Sequence, residues 1–424
     1  MAQAKEPGRS LPHRSVRQWW VLFHRWVGLV LAGFLLLAGL TGSLLTWDKE
    51  LDDWSASDVM RDPAGEQPAQ FDAIALHDLI AAQYPHVRAN YVELQKPEPG
   101  HTQLFFLLPA EAKYGPLEND QIFLSPVDGK VVGMRKYAAI SQGRKNLMPF
   151  IYTLHDQLAL GTIGTKIFGI VALLWTLDCF VGAYLTFPLR VQQRSGTPGK
   201  SWWARWKPSW AVRWGTGAYK LNMDLHRAGG LWVWAMLFVF AWSGVSFNLD
   251  KVYSPVMKTV FTFDEREKQL PHLAAPQPEP GISWREAHQI ARNLMAQEGQ
   301  RLGFTVQGEQ MLSYDSFRGL YRYSVKSSAD VSSYGNTHLY FDANTGALRL
   351  TVLPTGQYAG ETVTAWLDAL HMAKVWGWPF RVFISAMGLI VAMLSVTGVV
   401  IWWKKRCARS HRNHKLNLIN SVGV

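Results

Sequence analysis

Cysteine is nearly absent: Cys179 and Cys407 are the only two in a chain of 424 residues. Two thiols so placed cannot build a disulfide framework, a cysteine zinc site, an iron–sulfur cluster or a Cys-x-x-Cys-His haem attachment. Any haem would be held by its axial ligands alone. A Gly-x-Ser-x-Gly elbow and a Gly-rich nucleotide fingerprint are also missing, so hydrolase and dinucleotide-binding readings lack their usual parts. Charge is missing from long stretches. Residues 26–47, 228–249 and 382–403 contain no Asp, Glu, Lys or Arg, and 167–189 contains only Asp178. At about 1.5 Å per residue, each crosses a hydrocarbon core about 30 Å thick.

What is present is aromatic and unevenly charged. The chain has 20 Trp and a net charge of +11. The segment to Arg25, the loop 188–227 and the tail from Lys404 hold 19 Lys and Arg against two acids, Glu6 and Asp224. Residues 48–150 carry 10 basic and 15 acidic residues, and 250–368 carry 11 and 13. Basic loops stay cytoplasmic. The expected order is a cytoplasmic N-terminus (1–18), a first span (19–47), an external domain (48–150), a second span (151–189), a cytoplasmic Trp/Arg-rich loop (190–225), a third span (226–249), a second external domain (250–368), a fourth span (369–403) and a basic cytoplasmic tail (404–424). The first span is too long for a secretory signal and lacks its small-residue cleavage site, so it reads as an anchor. The positive charge is a topology signal, and no nucleic-acid partner is expected. Five Trp among basic residues at 201–214 read as an element lying in the lipid interface.

A duplication organises the chain. A shift of 202 lays the first apolar run on the third: His24-Arg25 meets His226-Arg227, Gly42 meets Gly244, and Asp48-Lys49 meets Asp250-Lys251. A shift of 216 lays the second on the fourth: Leu154-His155 meets Leu370-His371, Gly161 meets Gly377, and Gly182 meets Gly398. The expected fold is therefore membrane α-helical, four transmembrane helices as two parallel repeats about a pseudo-twofold axis along the membrane normal, with two α+β external domains. In the first domain a helix is expected over 73–84 and strands over 91–94, 103–108, 121–124 and from 131. The second repeats the order, with a helix over 284–297 and strands near 303–306, 320–325, 337–341 and 348–352.

Thirteen His are present. His13, His411 and His414 fall in basic tails. His77, His86, His101, His272, His288 and His338 fall in the external domains, where a solvated surface role is expected. His24, His226, His155 and His371 differ, because each span has one and they form two repeat-related pairs. Paired neutral imidazoles in an apolar bundle suit axial ligation of haem b, so the expectation is two haems. His24 and His226 would hold one on the cytoplasmic side, with His155 and His371 holding the other at the external rim. That depth for the outer pair requires a break at 161–164 and another at 377–379. Arg25 and Arg227 would pair with haem propionates or with lipid phosphates. Asp178, whose repeat partner is Leu394, is free to orient a ligand His, to assist proton movement, or to stay protonated against a neighbouring helix.

The run Trp20-x-x-Phe-His24-Arg-Trp-x-Gly-Leu, the Leu-Thr41-Gly42 that follows, the duplicated external unit, and Leu154-His155 with Gly182 resemble the PepSY-associated transmembrane proteins from Trp19 to Trp403. The chain differs where that family often has a basic residue after the second-helix His, having Asp156 and Met372. The resemblance implies PepSY-like periplasmic domains, a place in the bacterial inner (cytoplasmic) membrane, and a role in iron uptake. It further implies a haem-dependent ferric-siderophore reductase, an oxidoreductase whose substrate is a ferric siderophore of the hydroxamate type. The loop between the second and third spans is too short for a flavin or nicotinamide domain, so the electron donor would be a quinol or a cytoplasmic reductase. The rival is a siderophore-binding permease or accessory protein without redox activity. A third reading makes the external domains regulators of a periplasmic protease.

Overall fold

The computed structural model describes residues 15–189 and 200–422, with side chains as far as His414. His13, most of the N-terminal segment and 190–199 of the basic loop lie outside the described residues.

Helix α1 (Val16–Leu45) carries the first uncharged run. After it come helix α2 (Ala73–Gln83), whose cap Asp72 accepts the Ala75 N–H, and strands β1 (Tyr91–Glu93), β2 (Gln103–Phe106), β3 (Gln121–Leu124) and β4 (Val131–Arg135). Helix α3 (Leu147–Gln157) and helix α4 (Thr162–Thr186) complete the first half. The second half begins with α5 (Ala218–Trp232) and α6 (Trp234–Asn248). Helix α7 (Trp284–Leu302) leads into β5 (Val306–Asp315), β6 (Leu320–Ser327), β7 (Thr337–Asp342) and β8 (Leu348–Val352). Helices α8 (Ala359–His371) and α9 (Trp378–Val422) close the chain.

Among the described residues three helices are long and apolar enough to cross a membrane, those on α1, α4 and α9, or four if the pair α5 and α6 is one span. That pair is bent by 70°, where a straight third span was expected over 226–249. Gly229 and Gly230 lie within a turn of the bend, and a glycine pair is a poor helix former and a usual site of kinks. The breaks expected below His155 and His371 are present. They fall between α3 and α4 and between α8 and α9. Each contains left-handed residues and ends on a glycine that tolerates that conformation, Gly161 at φ 59° and Gly377 at φ 67°.

The two acidic segments are α+β, as expected, but they are not separate. Strands β2, β3 and β4 make a three-stranded antiparallel sheet. The larger sheet has five strands in the order β8-β7-β6-β5-β1. Its fifth member, β1, comes from the first segment and pairs antiparallel with β5, Tyr91 opposite Ser313 and Glu93 opposite Met311. Strand β5 is also longer than the 303–306 expectation and starts later. Gly303 is the left-handed cap of α7 (φ 76°), and two bulges let the polar Gly308-Glu309-Gln310 stretch stay in the ladder.

Trp284 ties the two segments together. It packs against both apolar cores, one built on α7 and the five-stranded sheet and the other on α2 and the smaller one. Its ring lies 4.4 Å from His77 and 5.4 Å from Tyr321. His77, expected at the surface, is buried here, with Nε2 against the Ala89 carbonyl at 3.0 Å. His338 is likewise buried on β7, beside Arg322 and the Asn336 carbonyl. Trp284→Ala should destabilise this region by about 3 kcal/mol, the lower end for a large aromatic because the ring is only partly buried. A fall in the thermal midpoint of the detergent-solubilised protein checks this.

The chain divides into two compact units. One comprises 1–40, 170–242 and 387–424, and the other 41–169 and 243–386. In the first, Cys179, Leu237, Ala241 and Val391 form a buried apolar cluster. Trp202, Trp203, Trp206 and Trp210 of the basic loop pack edge-on or tilted against one another, with ring centroids 4.9–5.3 Å apart.

Candidate functional site

Each compact unit contains one of the histidine pairs. In the first unit, α1 supplies His24 and α5 supplies His226, and the ring centroids are 6.1 Å apart. In the second, α3 supplies His155 and α8 supplies His371, with centroids 6.4 Å apart. All four sequence-selected histidines are therefore brought together as the two expected couples.

The same construction recurs around every ring. His24 Nδ1 lies 2.9 Å from Asp178 Oδ1. His226 Nδ1 lies 3.1 Å from both the Leu394 carbonyl and Thr397 Oγ1. His155 Nδ1 is 2.9 Å from Thr41 Oγ1, and His371 Nδ1 is 2.6 Å from Ser243 Oγ. Every Nδ1 thus has an oxygen partner, which leaves Nε2 of each ring as the nitrogen that could serve as a ligand. The partners follow the duplication. Asp178 and Leu394 are related by the 216 shift, and Thr41 and Ser243 by the 202 shift. Within each repeat the first helix's His is held by the second helix, and the second helix's His is held by a hydroxyl on the first.

The repeat glycines fit the same scheme. A Cβ at Gly182 would meet His24 Cε1 at 3.5 Å, one at Gly398 would meet His226 Cε1 at 3.2 Å, and one at Gly42 would meet His155 Cε1 at 3.0 Å. A side chain would crowd the imidazole edge at Gly398 and Gly42, and at Gly182 it would come into van der Waals contact with it.

His24 and His226 open onto a cavity of ≈390 Å³. Its walls are mostly apolar, with Leu31, Leu35, Trp175 and Leu237 among them, and Asp178, Arg25, Arg227 and Lys405 supply the charge. Asp178 is only 8% exposed. Arg227 is already engaged, bonding Asp224 Oδ1 at 2.9 Å and the Pro208 carbonyl at 3.0 Å. Arg213 holds the other side of the same carboxylate at 2.7 Å. Among the described residues, Arg25 and Lys405 are thus the cations of this cavity with no ion pair.

Some site residues escaped the sequence reading. Thr41 as a partner, Ser243, Thr397 and the Leu394 carbonyl look like ordinary packing in an apolar helix. Lys405 was counted only as a topology charge. Asp368 lies one turn before His371 on α8, and burial pushes its carboxyl up to about 7. The three-residue spacing Asp-x-x-His was a signal that could have found it. Among the described residues no three His, Cys, Asp or Glu side chains gather as a metal-holding group. Each imidazole couple therefore offers two nitrogen donors, a number that would suit the axial positions of a porphyrin and fall short of a tetrahedral ion's four ligands. No curated protein matches the chain. Residues 20–405 match the family model of the PepSY-associated TM region, and the chain belongs to that family.

Proposed function

We propose that the chain is an inner-membrane reductase holding two b-type haems, which passes single electrons to a periplasmic ferric siderophore and so releases iron as Fe(II). The observation that carries this reading is the spacing of the imidazole couples. Two rings bound in line through Nε2 to one iron have centroids roughly 6.3 Å apart, from a metal–nitrogen bond of about 2.0 Å and a nitrogen-to-centroid distance of about 1.15 Å. The observed separations of 6.1 and 6.4 Å bracket that value. The cavity at the first couple, the glycine seats and the occupied Nδ1 atoms agree with it.

Haem held by these ligands supplies a reversible one-electron Fe(III)/Fe(II) couple. The chain's own residues do the rest. His24 and His226, and His155 and His371, donate Nε2. Arg25 and Lys405, with Arg227 behind its Asp224 partner, offer charge-assisted bonds to propionate carboxylates. The mostly apolar walls give the couple a surrounding of low polarity. The basic segments stay cytoplasmic, both termini included, and the two joined α+β segments face the periplasm, where they present the ferric chelate. One electron per iron comes from a quinol or a cytoplasmic reductase, and the chelator is released because Fe(II) binds hard oxygen ligands more weakly.

The absorbance spectrum of the purified protein tests this. A Soret band of bis-imidazole type is expected, and a colourless protein would turn the reading towards a siderophore-binding permease. The glycine seats give a second check. Gly398→Val puts bulk on the His226 ring and should cut haem retention at least several-fold. Gly33→Val, at an exposed helical position where a Cβ meets nothing within 4 Å, should leave it unchanged. Haem per chain in detergent-purified protein measures both.

A further inference from the structure

We infer that Asp178 is a positioning residue that holds the His24/His226 haem site at a lower reduction potential than the His155/His371 site, so that the electron equilibrium is biased from the first towards the second. The inference rests on the haem reading above and adds an asymmetry which that reading does not require.

Four imidazoles have four kinds of Nδ1 partner, and only one partner is anionic. Three rings have neutral oxygens against Nδ1: the Leu394 carbonyl and Thr397 hydroxyl for His226, the Thr41 hydroxyl for His155, and the Ser243 hydroxyl for His371. His24 donates to a carboxylate at 2.9 Å. The duplication sharpens the contrast, since the residue equivalent to Asp178 is Leu394. Where one half of the chain uses a side-chain carboxylate, the other uses that residue's backbone carbonyl. The slot is the same and the charge differs.

A carboxylate accepting Nδ1–H makes a short, charge-assisted bond and draws the proton away from the ring. The ring gains imidazolate character, its Nε2 becomes a stronger donor, and the iron it binds is held more firmly as Fe(III). The carboxylate's own negative charge, 8% exposed in an apolar wall, acts in the same direction with little screening. The cations lining this cavity oppose it less than their number suggests. Arg227 is offset by Asp224, while Arg25 and Lys405 face the propionates that would neutralise them. At the second site neutral hydroxyls hold both Nδ1 atoms, and burial shifts the neighbouring Asp368 carboxyl towards its neutral form, so the Fe(II) form there is relatively favoured.

Spectroelectrochemical titration of the purified holoprotein tests the assignment. The wild type should show two one-electron components, the lower of which disappears in His24→Ala. Asp178→Asn keeps shape and a hydrogen bond but removes the anion. It should raise that lower component alone by about tenfold in the reduction equilibrium, 59 mV for a one-electron couple, and shift its low-spin ferric resonance signal. Asp178→Glu should restore most of the difference. Thr397→Asp is the converse, placing a carboxylate beside His226 and lowering the same component; it reads the effect if the Asn variant is lost during purification. Full haem content with both midpoints unmoved in Asp178→Asn, or equal movement of both, would overturn the inference while leaving the haem reading intact. A wild type without haem would overturn that reading itself, and the inference with it.

Discussion

His24→Ala and His226→Ala are each expected to purify with about one haem per chain in place of about two, with the remaining haem keeping its bis-imidazole spectrum. The expectation is strong because each ring would be the whole of one axial contact, and among the described residues no third His, Cys, Asp or Glu gathers with the couple as a metal-holding group, Asp178 meeting His24 on its Nδ1 side. Membrane insertion should be untouched, since it depends on apolar length and flanking charge. Loss of ligation should also outweigh any packing loss, because the imidazoles border a cavity and are not wedged into a filled core. Haem quantitation against protein mass settles the stoichiometry. Retention of two haems and an unaltered spectrum in both variants would remove the ligand assignment. External imidazole restoring the absorbance of His24→Ala would strengthen it, because the substitution vacates the place that the ring fills beside Gly182.

The histidines were legible because the chain repeats itself. One His at a membrane boundary means little, but four that coincide under two shifts define couples, and the couples meet. Glycine was legible for the same reason: Gly42, Gly182 and Gly398 were marked only as repeat anchors, and they prove to be the seats of the rings. Asp178 was visible as a lone carboxylate in an apolar run, yet its target was open until α4 was placed beside α1. The hydroxyl partners were hidden. Thr41 and Ser243 are small residues in apolar helices, and such residues usually satisfy their own helix's carbonyls, as Thr176 does with Ala172. The bend at Val233 and the sharing of β1 with the second sheet were also hidden. Hydropathy measures how apolar a run is but not whether it is straight. A three-residue strand such as Tyr91–Glu93 carries too little alternation to show which sheet it joins.

Substitutions in the outer couple should reveal the direction of the electron's path. With the haems of the wild type reduced by dithionite, a ferric hydroxamate siderophore should reoxidise them, and a ferrous chelator should capture the iron released. His155→Ala or His371→Ala should slow that step at least tenfold while the His24/His226 site still accepts electrons. The reason lies in how each ring is held. Thr41 and Ser243 fix the two Nδ1 atoms, and Phe247 stands edge-on to His371 at 5.3 Å, so neither ring has a substitute ligand in place. This couple belongs to the unit that also contains both α+β segments, where the ferric chelate would be received, so damage there closes the exit and leaves electrons upstream. Stopped-flow oxidation followed at the haem band separates the cases. In the wild type both haems should lose their electrons with the ferric complex, and the iron-free siderophore should be inert. In the outer variants a reduced haem should persist and Fe(II) capture should lag to match. Equal rates with the iron-free ligand, or variants that oxidise as fast as the wild type, would mean that the electron leaves by another route.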